Sequence, residues 1–310
     1  EKDKFILDQY IMQGGKVLWL VDGAKVSMDS LEKTSETVAI ANQINLDDML
    51  FRYGARINYD LVLDLQAAPI PVVTGYVGNR PQYSPMPWYY FPIVIPESKH
   101  PIVNNLNAVR FDFVSSVDPV GSADVIKTPL LVSSKYSRIF ATPARVTLDL
   151  MKEEPQLSQY NQPNKILALL LEGTFDSNFK NRVPATILSD PEIAFKEKSE
   201  KTRMIVIGDG DVIKNGVRKS TNGIIPLGMD RYTGQVFGNK NFLLNCIDYL
   251  CDDSGLMAIR SKELKLRLLD KNRIDNDLLF WQVVNTAGPV LVIALFGLFK
   301  FYRRRVKYAS

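Results

Sequence analysis

The C-terminal end constrains this chain more than any other stretch. From Leu278 to Phe299 the sequence LLFWQVVNTAGPVLVIALFGLF carries no ionisable side chain. KFYRRRVKYAS follows at once, with Arg303, Arg304, Arg305 and Lys307 close together. A helix rises ~1.5 Å per residue, so Trp281 to Phe299 covers about 28 Å, close to the ~30 Å hydrocarbon core of a bilayer. The Leu, Ile, Val and Phe side chains in that window favour insertion by ~3–6 kcal/mol together, from which Gln282, Asn285 and Pro289 subtract. A helix buried in a soluble core rarely runs so far without a polar face. The stretch 278–299 therefore reads as a transmembrane helix and 300–310 as a basic tail, which makes the lipid bilayer a partner. Asn285, Gly288 and Gly297 are the polar and small residues that pack membrane helices against one another.

The remainder has the composition of a globular body, with 46% hydrophobic and 23% charged residues across the chain. The net charge of +4 is about what the tail alone supplies. Both signs are mixed through the body without a basic stripe, so a nucleic-acid partner is not expected. Cys246 and Cys251 lie on different faces of a predicted helix and cannot bridge. His100 is the single histidine, which excludes mechanisms that need two, among them most zinc hydrolases. Neither a metal nor another cofactor is expected. The chain opens on Glu1 rather than Met, with no signal peptide, so it is expected to be cut from something longer.

Along the body, helix and apolar strand alternate. Leu7, Tyr10 and Ile11 recur at helical spacing, Gly14-Gly15 stops that helix, and KVLWLVD reads as a strand buried on both faces. Further apolar runs at Leu61–Leu65, Lys165–Leu171 and Met204–Ile207 predict more strands of an open parallel α/β sheet. Asn45 is expected to cap a short helix, and Asn239 or Asn241 to cap FLLNCIDYLC, whose apolar face is Leu243, Cys246, Ile247 and Leu250. Asn107–Ser116 alternates like a half-exposed strand. Seven of the 17 prolines fall between Pro69 and Pro96, which predicts a Pro- and aromatic-rich edge or surface excursion over 69–96. The domain plan is one soluble α/β unit over 1–255, a connector over 256–277 with Leu264, Leu266 and Leu268 alternating, then the membrane helix.

Gly208-Asp209-Gly210-Asp211 is the most chemical-looking motif, placed just after a strand, where open α/β sheets hold ligands. It lacks the regular oxygen spacing of a Ca²⁺ loop and is neither GxGxxG nor a phosphate loop. A tight turn with a helix cap is the plainer reading of Asp209 and Asp211. Trp88, Tyr89 and Tyr90, with Phe91, form either a recognition surface or a lid folded on the core. His100 precedes a proline and Cys246 lies mid-helix, so both read as structural, and Arg182 as a salt-bridge partner. No catalytic set assembles, so the chain reads as a non-enzyme. The competing readings are a carbohydrate- or peptide-binding module using the aromatic run with Asp209 and Asp211, and a residual hydrolase using Asp209, Asp211 or His100.

Many collinear strings, among them KFILDQYIMQGGKVLWLVD, LFRYGARINYDLVLDLQ, PIPVVTGYVGN, PWYYFP, HPIVNNL, KTPLLVSSKYSR and LLEGTFDSNFKNR, with the C-terminal span, resemble the GldG family. These are gliding-motility-associated ABC transporter accessory proteins of Bacteroidetes, often labelled substrate-binding, and the resemblance covers their later part. It implies a flavodoxin-like, glutamine-amidotransferase-like sheet with helices on both faces and without the elbow Cys or partner His of an active amidotransferase. It also implies permease and ATPase subunits as partners, the ATPase being a separate chain because no Walker motif is present here. The expected location is the bacterial inner membrane. The Arg303–Arg305 cluster places the tail in the cytoplasm and the body in the periplasm, although Arg260, Lys262, Lys265, Arg267, Lys271 and Arg273 make the preceding flank basic too.

Overall fold

Two apolar runs occupy the centre of the molecule because each is covered on both sides. The computed structural model describes residues 1–121, 123–152, 154–184, 193–218, 223–257 and 278–308. In it the strand Ile166–Gly173 lies between Thr202–Ile207 and Val125–Val132, and Val17–Leu20 pairs with the far side of Thr202–Ile207. Successive residues of a strand point to opposite faces, and the two core clusters follow that rule. Ile205, Ile207 and Leu170 pack with Phe242, Leu243, Cys246 and Leu250 of the helix Asn239–Cys251. Met204, Val206, Leu169 and Leu171 pack instead with Ile11 and Met12 of the helix Lys2–Met12, and with Met49, Leu50 and Tyr53 of the helix Asp47–Tyr53. Helices thus cover both faces, each buried Leu or Ile contributing ~1.5–3 kcal/mol relative to exposure.

The strand directions differ from a flavodoxin-like sheet. Val17–Leu20 and Thr202–Ile207 run parallel, while Ile166–Gly173 is antiparallel to both of its neighbours. The predicted strand at Leu61–Leu65 is not in this sheet: Asp60–Asp64 pairs with Ser137–Ala141 in a sheet of its own. An unbroken apolar run reports burial on both faces, and a covered antiparallel strand gives the same run as a parallel one. The architecture is mixed α/β with several small sheets, and a flavodoxin-like topology is not evident.

The proline-rich stretch forms a long antiparallel hairpin, Ala67–Val77 with Arg80–Val94. A third strand, Val109–Arg110, pairs only at Ile93–Val94; over 69–87 the hairpin is a two-stranded ribbon, which tolerates proline because both strands are edges with outward-pointing amides. Its base is core: Trp88, Tyr90 and Phe91 pack with Leu61, Leu63 and Phe113, with Trp88–Tyr90 ring centroids 5.0 Å apart and Phe91–Phe113 5.3 Å.

Local expectations needed adjustment where a polar group found a tertiary partner. In the first helix Lys4, Asp8, Ile11 and Met12 are buried, while Leu7 and Tyr10 face outward. Asp8 occupies the interior because four donors meet it there: Tyr53 Oη, Ser177 Oγ, the Asn178 amide and Gln9 Nε2. Asn45 does not cap; it sits at φ 59 and its side chain donates to Glu1, with Leu46 at the N-cap position. The helix at 239 has Gly238 at its N-cap and no side-chain cap, and Ile247 is exposed. The alternating stretch 107–116 keeps only Val109–Arg110 as strand, because Phe113 adopts a left-handed φ of 57 that turns the chain inward.

The C-terminal unit, described by itself, is among its described residues one helix, Leu278–Tyr308. It continues unbroken through the arginines, so the expected basic tail is its last turns. Residues Gln282–Lys307 are long and apolar enough to cross a membrane, with mean hydropathy 1.8 in the qualifying window. Most of the connector, 258–277, with the alternating leucines and the basic flank, lies outside the described residues.

Candidate functional site

The parallel strand pair ends in two acidic turns, and everything polar nearby is arranged around them. Asp22 follows Val17–Leu20, and Gly208-Asp209-Gly210-Asp211 follows Thr202–Ile207. Gly208 is forced by close approach: a Cβ there would lie 2.1 Å from the Ser115 carbonyl oxygen. That approach lets Ser115 N donate to Gly208 O at 2.8 Å and brings the 112–116 segment onto the turn. Asp209, fully buried, then accepts from Asp211 N at 2.7 Å and Val212 N at 3.0 Å through Oδ1, and from Asp112 N at 2.9 Å through Oδ2. The first two bonds take up the amides that open the 3₁₀ turn Asp211–Ile213, from one residue before its N-cap Gly210. The Gly210 amide donates to Asp22 Oδ1 at 2.6 Å.

Burial pushes the Asp209 carboxyl well above the usual carboxylate range, and the nearby charge of Asp112 adds to that; the amides of Asp112 and Asp211 oppose it. Asp22 is raised by burial against the Gly210 amide, and Asp112 by burial against its pairing with Arg110. Arg110 holds the outer side: Nε and Nη2 grip Asp112 at 2.8 and 3.2 Å, and Nη1 donates to the buried Asp230 at 3.1 Å. Its guanidinium lies 4.6 Å from the Phe91 ring centroid. Asn239 clips the same residue by its backbone, accepting from Arg110 N at 3.1 Å and donating to Arg110 O at 2.7 Å. This is why Asn239 does not cap its own helix.

Outside this lattice a cavity of about 340 Å³ opens, with Arg110, Asp112, Asp211, Lys214, Arg231 and Asn239 in its wall. The cavity offers both signs of charge. Among the described residues no group of three His, Cys, Asp or Glu side chains is placed to hold a metal ion.

The residues singled out in the sequence fall in different places. Asp209 and Asp211 share this turn, Asp209 turned inward and Asp211 in the cavity wall with Lys214 3.4 Å away. Trp88, Tyr89 and Tyr90 are buried, the arrangement of aromatics folded on the core rather than of a surface open to a ligand. His100 packs edge-on against Tyr249 at 4.9 Å, and its Nδ1 accepts from the Ile102 amide at 3.4 Å; burial lowers its pKa. Cys246 is fully buried and burial raises its thiol pKa. Arg182 lies 3.9 Å from Asp48. Sequence reading missed Asp22, Arg110, Asp112 and Asp230. A hint was available for Asp22, an acidic residue directly after a buried strand, but Asp112 and Asp230 are joined only through Arg110.

A mixed α/β body with a charged cavity at the carboxyl ends of its parallel strands, and one long apolar C-terminal helix, is the class that the fold defines. The chain belongs to the family of auxiliary proteins described as ABC-type uncharacterized transport system, which matches residues 1–246. It is an auxiliary component of an ABC-type transport system. The match covers the body through Cys246 and stops before the C-terminal helix. No curated protein matches the chain at a significant level.

Proposed function

We propose that this chain is a non-catalytic, membrane-anchored subunit of the GldG type, serving gliding motility by assembling with the permease and ATPase of an ABC transporter. The observation that carries the reading is the family match over 1–246 joined in one chain to the apolar helix Leu278–Tyr308. That the subunit is non-catalytic is supported by the turn at Asp209, whose oxygens are taken up by three backbone amides of its own fold. The helix itself supports a partner in the bilayer. Pro289 has no amide hydrogen, so the Asn285 carbonyl loses its helical donor in the middle of the apolar stretch. In hydrocarbon such a group favours another donor, which a neighbouring helix can supply. Asn285 and Gly288 lie about 60° apart around the helix and share a face, whereas Gly297 lies about 180° from Gly288 and meets a different neighbour.

The test is co-expression of the full chain with the permease and ATPase of its transport system, followed by purification in detergent. The three should elute together, and Asn285→Leu should weaken the association; elution of the chain alone would overturn the assembly reading. Impermeant thiol labelling of Ser310→Cys on intact cells, in a Cys251→Ser background, addresses orientation. The periplasmic body requires that this position stay unlabelled from outside.

A second reading, a carbohydrate- or peptide-binding module, is favoured by the cavity with Asp211 in its wall. It stands on the cavity alone, because the aromatic run is buried. A ligand at ~100 times its Kd would add ~2.7 kcal/mol of stability in a thermal-shift screen, and a screen with no shift removes this reading.

A further inference from the structure

The hairpin Ala67–Val94 has a second half that belongs to no core. Beyond Val72 and Met86 it projects as a two-stranded arm, with Tyr76 71%, Tyr83 63% and Val77 63% exposed near its tip. Its register sorts the side chains by chemistry. Val73 pairs with Tyr83 and Tyr76 with Pro81, and the irregularity between Val73 and Gly75 keeps all four on one face. The other face is polar: Thr74 and Ser84 share a hydrogen bond of 2.9 Å, Gln82 pairs with Gly75, and Arg80 pairs with Val77.

Two features narrow what covers the apolar face. Prolines 81, 85 and 87 remove amides that an added strand would need along the edge of Arg80–Val94, and Pro69 and Pro71 do so at the base of Ala67–Val77. This disfavours strand addition and leaves the face as the arm's main surface. The segment 65–96 also contains no Asp, Glu or Lys, and its single cation, Arg80, stands at the very turn. Carboxylates are penalised near hydrocarbon and near anionic headgroups, so a segment without any suits that setting. It belongs to a chain that also carries an apolar helix long enough to cross a membrane. Tyrosine rings combine an apolar body with a polar tip suited to the headgroup level, and an arginine at the tip reaches lipid phosphates.

We propose that the tip of this arm, Val73–Tyr83, is a second membrane contact that lies in the headgroup region of an anionic bilayer with Val73, Tyr76 and Tyr83 toward the acyl chains. The proposal rests on reading the C-terminal helix as a bilayer anchor. The same chain carries that anchor, which begins 21 residues after Met257 in the sequence.

The experiment uses the full chain in lipid nanodiscs of phosphatidylcholine and phosphatidylglycerol doped with spin-labelled lipid. Cys251, which is exposed, is replaced by Ser, and Cys246 is buried. An environment-sensitive fluorophore is placed in turn at Val77→Cys, Val292→Cys and Ile126→Cys. The expected result is a clear loss of fluorescence at 77, smaller than that at 292 because Val77 pairs with Arg80 on the arm's polar face at headgroup level, and none at 126. Arg80→Gln, which removes the cation without adding a carboxylate, should reduce the loss at 77 in anionic discs and leave it unchanged in pure phosphatidylcholine. Quenching at 292 with none at 77 overturns this proposal and leaves the anchor standing; no quenching at 292 overturns the anchor reading itself. A signal at 77 that changes only when the permease is present would identify a protein partner and also overturn the lipid proposal.

Discussion

Replacing Asp209 by Ala separates a structural turn from a ligand site. The substitution leaves the amides of Asp112, Asp211 and Val212 without their acceptor in a fully buried place. Hydrogen bonds of this kind are worth ~1–2 kcal/mol each, giving a gross loss of ~3–6 kcal/mol. Part of this is offset, because burial and the neighbouring Asp112 and Asp22 already disfavour the Asp209 carboxylate, so the net cost lies below the gross figure, at ~2–4 kcal/mol. Urea unfolding of the full chain in detergent, followed by tryptophan fluorescence, should show the midpoint falling by ~1–2 M with an unchanged slope. Asp211→Ala is the control, since its partner Lys214 is 3.4 Å away at an exposed position and such pairs contribute ~0–1 kcal/mol. A midpoint for Asp209→Ala within ~0.5 kcal/mol of wild type, or an equal loss for Asp211→Ala, would refute the view that Asp209 is the hub of the turn.

Other outcomes follow from the same geometry. Asp22, Asp112 and Asp209 all have folded pKa values raised above the usual ~3.9, so the folded state holds their protons more tightly than the unfolded chain. Their contribution is therefore complete below pH ~4 and is lost as pH rises through the raised values; the stability–pH slope of Asp22→Asn should be flatter than wild type over that window. Gly208→Ala puts a methyl 2.1 Å from the Ser115 carbonyl and should cost ~2–4 kcal/mol, read as a lower melting temperature, whereas Gly288→Ala meets nothing within 4 Å in the isolated helix and should leave the body's melting unchanged. Trp88→Ala should cost ~3–5 kcal/mol in urea unfolding, while Tyr76→Ser on the projecting arm should stay within ~0.5 kcal/mol.

The sequence by itself determined whatever depends on a run of neighbours. The apolar C-terminal helix, the strands at 17–20, 166–173 and 202–207, and the helix at 239–251 were legible because burial on both faces or at helical spacing is written along the chain. The turn at Asp209 was legible as a tight turn for the same reason, two of its donors lying only two and three residues on, although Gly210 and not Asp209 holds the N-cap position of the 3₁₀ turn that follows. Strand direction was not, since an apolar run is the same read either way, and Ile166–Gly173 proved antiparallel to both neighbours. Only the tertiary structure decided that Asp8 is interior, that Asn239 holds Arg110 instead of its own helix, and that Asp22, Asp112 and Asp230 stand around one turn. Each of these polar groups is stable where it is because of partners far away in the chain, such as Ser177 for Asp8 and Arg110 for Asp230. Burying a polar group is costly until its partner arrives, and no local pattern records which partner that is.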